Sequence, residues 1–120
     1  MDIKVTLTEN SHLSEVDFNN IPFGKVFADH MFSADYVDGT WSNFEITPIH
    51  RLTVHPAVMA LHYGQSIFEG MKASMLQDGA VALFRPELHA KRLNTSAERM
   101  CTALAFPTDE LVIKALREAG

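Results

Sequence analysis

Residues 29–47 read "DHMFSADYVDGTWSNFEIT". Two runs rich in aromatic and β-branched side chains flank Asp38-Gly39, a dipeptide suited to the positive φ angles of a tight type I′ turn. The segment therefore predicts a β-hairpin. Pro48 closes its second strand, because proline cannot donate to a ladder, and "HRLTV" (50–54) can continue extended to Pro56. Upstream, "IKVTLTE" (3–9) alternates as a strand does, and residues 10–25 read as a polar loop ending at Pro22 and Gly24.

Downstream, a short helix is expected over Ala57–Tyr63, stopped by Gly64. "SIFEGMKASML" and "AVALF" predict a second hairpin, turning at Gln77-Asp78-Gly79. Pro86 suits a first helical position, and the helix it opens is expected to run to about Thr102. Leu93, Ala97, Met100, Cys101 and Leu104 recur there at helical spacing as the buried stripe. A last helix is expected from Thr108, its N-cap, to Gly120. Strands first and helices last give an α+β domain: an antiparallel sheet with helices packed on one face.

The chain has 120 residues, 47% of them hydrophobic and eight of them Phe, which suits one domain with its own core. A net charge of −5 leaves no basic block to neutralise phosphates, so nucleic acid is not an expected partner. No run approaches the roughly 20 apolar residues of a membrane span. The N-terminal "MDIKVTLTEN" lacks the apolar stretch of a secretory signal, and one cysteine suits a reducing compartment. A cytoplasmic protein, or a piece of one, is expected.

The stretch "LHYGQSIFEG" (61–70) sets His62, Tyr63, Gln65, Ser66 and Glu69 among apolar neighbours. Strand alternation puts Phe68, Gly70, Lys72 and Ser74 on one face, and Ile67, Glu69, Met71, Ala73 and Met75 on the other, core-like face. A glycine beside an aromatic leaves room for a small molecule to lie against the backbone. Two readings stand: the floor of a pocket, or solvated Lys72 and Ser74 beside an edge aromatic and a bulge. On the next helix His89, Arg92, Ser96 and Arg99 share a stripe. Arg92, at its apolar border, can keep its stem packed and offer its planar fork to an anion, or snorkel as a surface arginine.

Other constellations are missing. No histidine pair has helical metal spacing, and Cys101 lacks a partner thiol. Asp29-His30 are strand neighbours that face opposite ways. The sequence holds no nucleophile elbow, dinucleotide fingerprint or phosphate-binding P-loop. His62 reads as a structural histidine and Cys101 as a small core residue.

"ALHYGQSIFEGMKA" (60–73) followed by "LFRPELHAKRLNTSAERMC" (83–101) closely resembles branched-chain amino-acid aminotransferases, fold-type IV enzymes that use pyridoxal 5'-phosphate. "FGKVFADHMFSADYVDGTW" (23–41) resembles the longer, eukaryotic-type branch of that family. The resemblance implies that Arg92 grips the cofactor phosphate. It implies that Phe68 lines the pocket for an aliphatic side chain, with Gly70 and Lys72 on the same wall. Tyr63 matches an active-site tyrosine, and Phe23 matches a further pocket aromatic.

Family members are much longer. Their Schiff-base lysine matches none of Lys4, Lys25, Lys72, Lys91 and Lys114, so no catalytic residue of the family falls in this chain. The resemblance therefore implies the small N-terminal domain, residues 1–120, of an enzyme whose cofactor-lysine domain is absent here. The complete enzyme is expected to be a homodimer. It would move an amino group between leucine, isoleucine or valine and 2-oxoglutarate. Alternatives are a non-catalytic binding or dimerisation module, and a relative acting as a D-amino-acid aminotransferase or aminodeoxychorismate lyase.

Overall fold

The Asp38-Gly39 turn forms where the sequence predicts it, with φ of 49° and 81° and with Val37 paired to Thr40 across it. It joins β2 (His30–Val37) to β3 (Thr40–Pro48) in an antiparallel ladder; β1 (Lys4–Val5) completes the sheet on the far side of β3. The computed structural model describes residues 2–101, which form two compact units, 2–52 and 53–101. The expected final helix from Thr108, and Leu104 of the expected stripe, lie outside the described residues.

In the first unit, the hairpin carries an irregularity that the sequence did not announce. Register shifts between Ser33 and Asp35, and the extra residue falls on β3, where Asn43 takes φ 52°. Asn43 Nδ2 donates to Asp35 Oδ2 at 2.7 Å and pins the bulge. Near the turn Tyr36 and Trp41, a directly paired couple, pack with their rings tilted by 50° and centroids 5.0 Å apart. Ile46, opposite Phe32, is fully buried and marks the core of this unit.

Two expectations need correction here. β1 pairs parallel to β3, Lys4 with Glu45 and Val5 with Ile46, so the sheet is mixed and not purely antiparallel. The strand expected over 3–9 also stops early. After Thr6 donates to Ile46 O, the Thr8 amide turns to His30 Nε2 at 2.9 Å, and Thr8 Oγ1 accepts from the Asn10 amide. Side-chain acceptors thus take the amides that a longer ladder would use. β3 ends at Pro48, as expected.

In the second unit, α1 (Met59–Tyr63) ends at Gly64, whose φ of 62° breaks the helix. The expected hairpin is much shorter than its sequence pattern: β4 (Ala73–Met75) pairs with β5 (Val81–Leu83) over three residues each. β5 cannot run further. Phe84 leads to Arg85 at φ 49°, and Pro86 then opens α2 (Pro86–Arg99). Residues 66–72 consequently have no ladder partner and run as an unpaired segment.

α2 buries Ala90 and Ala97 and half-buries Leu93. Met100 and Cys101, expected on the buried stripe, are exposed: the helix stops at Arg99, and Cys101 adopts φ 50°. Ala73 and Met75, expected on a core face, are exposed as well. With two sheets and two helices, the α+β content matches the sequence reading.

Candidate active site

Gly64 sets the path of the segment that follows it. The Ser66 amide donates back to Gly64 O at 2.9 Å, and the chain then extends toward β4. Burial alternates along it: Gln65, Ile67, Glu69 and Met71 are half-buried, whereas Ser66, Phe68, Gly70 and Lys72 are exposed. Extended backbone alternates its side chains with or without a ladder.

Glu69 is the one carboxylate on the inner side, its side chain only 11% exposed. A carboxylate so placed needs charged or hydrogen-bonding partners, and α2 supplies two. His89 Nδ1 meets Glu69 Oε1 at 2.8 Å, and Arg92 Nε donates to Oε2 at 2.6 Å. Arg92 Nη2 closes the fork on Oε1. His89 and Arg92 are three residues apart on α2, so both reach the same carboxylate. Gln65 Nε2, donating to Met100 O at 3.3 Å, ties the segment to the far end of the helix.

The electrostatics follow from this geometry. Hydrogen bonds from Arg92 first, and His89 second, hold the Glu69 carboxyl well below its ordinary value, at about 2. The same pair raises the Arg92 guanidinium. Glu69 uses up only one edge of Arg92. The side chain is 65% exposed, and its Nη1 group has no hydrogen-bond partner among the described residues. What remains is a cation of fixed orientation with three unused N–H donors, two of them on Nη1.

The residues singled out from the sequence are placed as follows. Arg92 lies in the cluster with Glu69 and His89. Phe68, 89% exposed, Gly70 and Lys72 lie on the outer side of the extended segment, opposite Glu69. A Cβ added at Gly70 would meet nothing within 4 Å, so open space lies against that backbone. Tyr63, at the end of α1, is exposed. Phe23 is fully exposed in the other unit, in the turn that Lys25 closes onto Pro22.

The sequence reading set Glu69 among core-facing residues and missed its role as the partner of Arg92. The signal was present: an acid on an apolar face requires a cation, and the neighbouring helix offered His89 and Arg92 on one stripe. A separate cavity of about 560 Å³ lies in the first unit, lined mostly by apolar side chains including Leu7, Phe18, Ile21 and Phe27. Asp29 and His30, set aside as a dyad from the sequence, line it, whereas Phe23, Tyr63, Phe68, Gly70, Lys72 and Arg92 do not.

Known proteins resemble the chain closely. The branched-chain-amino-acid aminotransferase 2 of Bacillus subtilis (strain 168) is 42% identical over 117 residues, 97% of this chain and 31% of the relative. The branched-chain-amino-acid aminotransferase of Mycolicibacterium smegmatis is 44% identical over 100 residues, 82% of this chain and 27% of the relative. The cytosolic enzyme of Saccharomyces cerevisiae is 38% identical over 111 residues, 91% of this chain and 29% of the relative. No protein-family model matches.

The chain thus carries aminotransferase sequence over almost its whole length. Within that class these relatives are branched-chain-amino-acid aminotransferases, and this chain corresponds to a part of them, spanning between 27% and 31% of their length.

Proposed function

We propose that this chain is the N-terminal domain of a branched-chain amino-acid aminotransferase and supplies one phosphate-binding arm and part of a side-chain pocket to that enzyme. The observation that carries the reading is the 42% identity over 117 residues, which includes the Arg92 helix and the Glu69 segment. The donor set fits a single phosphate contact: the free Nη1 edge of Arg92 can give two charge-assisted hydrogen bonds to anionic oxygens. The Glu69 carboxylate offsets the charge of Arg92, so the remaining phosphate contacts come from elsewhere in the enzyme.

Pyridoxal 5'-phosphate, when bound, supplies the electron sink for moving an amino group between leucine, isoleucine or valine and 2-oxoglutarate. The residues of this chain anchor and select. Arg92 holds the phosphate. Phe68 and Tyr63 supply apolar lining for the aliphatic chain, and Gly70 keeps the wall open. Burial is worth about 0.8 kcal/mol per methylene, which favours four- to six-carbon aliphatic chains over alanine and barely separates the three. Lys72 or Tyr63 meets the distal carboxylate when glutamate enters. The reactive lysine belongs to the remaining part of a fold-type IV enzyme that works as a homodimer in the cytoplasm.

The test is an amino-transfer assay of the intact gene product with L-leucine, D-alanine and aminodeoxychorismate. L-leucine is the expected substrate, and Phe68→Ala is expected to raise its KM several-fold more than that of glutamate. The double substitution Tyr63→Phe, Lys72→Met is expected to weaken glutamate selectively; an equal loss for leucine removes that assignment. Activity confined to D-alanine or aminodeoxychorismate moves the protein to a related reaction. Activity on none of the three leaves a non-catalytic module.

A further inference from the structure

The pairing of Glu69 with Arg92 is side-on, and that geometry matters. A carboxylate can meet a guanidinium end-on, across its two terminal nitrogens, or from the side, across Nε and one terminal nitrogen. Here Oε2 takes Nε and Oε1 takes Nη2, so Nη1 is left pointing away from the carboxylate. Oε1 also meets His89 Nδ1. The carboxylate is therefore held from two points on α2, while its own side chain stays 11% exposed and that of Arg92 stays 65% exposed. The anchored partner is the inner one, and the offered partner is the outer one.

We propose that Glu69 is a positioning residue for phosphate binding: it clamps Arg92 from the side and presets the Nη1 edge as a donor for a phosphate monoester. The inference rests on the reading of Arg92 as the phosphate arm and names the residue that sets its direction. An unclamped arginine must freeze several torsions when an anion arrives, whereas here they are already fixed. The opposing effect is Coulombic, since a neighbouring carboxylate repels the anion. On a guanidinium so exposed, water and salt screen that repulsion, so orientation outweighs it. The two effects have opposite signs, which makes the inference decidable.

The experiment uses pyridoxine 5'-phosphate, which lacks an aldehyde and so cannot react with surface lysines, with pyridoxine as the control. Binding to the intact gene product is followed by calorimetry and by the ¹⁵N signal of the Arg92 side chain. Glu69→Gln is expected to weaken the phosphorylated probe by about tenfold and to leave pyridoxine unchanged. Unchanged or tighter binding overturns the inference, because Glu69 then only opposes the anion.

Arg92→Lys keeps the charge without the fork. In that background Glu69→Gln is expected to have no further effect; an undiminished loss means a general structural role and overturns the positioning role. Should Arg92→Lys itself leave binding unchanged, the phosphate reading of Arg92 fails as well. The unsubstituted protein gives an arm that needs no variant. Saturation with the probe is expected to move the Nη1 signals and leave Nε–H bonded to Glu69. Displacement of Nε–H from Glu69 overturns the inference.

Discussion

Among the described residues Glu69 is the carboxylate most altered by its surroundings, and the alteration has a measurable consequence. Its carboxyl titrates at about 2 in the folded chain against an ordinary 4.5, because the charged form is bonded by Arg92 and His89. The folded state therefore binds this proton less readily than the unfolded state. The stability from the pair is fully present above 4.5 and is lost as pH falls toward 2. Urea midpoints of the unsubstituted chain and of Glu69→Gln are expected to differ most near neutral pH and to converge across that acid window. A gap that stays constant with pH would mean the pair does not form in solution. At this scale the sequence was half legible. Alternation alone placed Glu69 inward and Phe68 outward, and helical spacing put His89 beside Arg92. What it did not contain was the three-dimensional approach of segment and helix that turns two separate patterns into one ion pair.

At the scale of elements, local backbone chemistry explains both the agreement and the departures. The first hairpin could be read because Asp38-Gly39 commits the chain to a turn before any tertiary contact forms. Gly39 has φ 81° and open space around its Cα, so Gly39→Ala adds no clash and tests conformation alone. It is expected to destabilise the first unit by roughly 1 kcal/mol, visible as a lower urea midpoint. The second hairpin was overread. The pattern in residues 66–76 is compatible with a long strand, but a ladder needs a partner, and Arg85-Pro86 turns the partner into α2 after Leu83. The same logic applies at the far end of α2, where Cys101 takes φ 50° at a position better suited to glycine. Cys101→Gly removes about 1–2 kcal/mol of left-handed cost and adds about 0.4–1 kcal/mol of unfolded-chain entropy. A small net gain in thermal midpoint is the expected outcome.

Across the described residues, far more large apolar side chains are exposed than buried. Among the described residues the buried hydrophobic positions are Ile46, Ala90 and Ala97, two of them alanines. Phe23, Tyr63, Phe68, Met75 and Phe84 are all exposed. Composition could not reveal this, since a hydrophobic fraction of 47% reads the same whether its members face inward or toward another body. Exposed apolar side chains in this number leave each unit with surface that a further body can cover. The chain spans between 27% and 31% of the length of the three relatives described above, and on the proposed reading the rest of such an enzyme is the cover. The 120 residues expressed alone are therefore expected to bind a hydrophobic dye and to self-associate with rising concentration. Phe68→Ser together with Met75→Ser is expected to lower dye binding without moving the unfolding midpoint, because neither side chain is packed. Sedimentation and dye fluorescence measured together make the test sharp. A monodisperse chain that ignores the dye would show its apolar face already satisfied, and the case for a missing body to cover it would fall.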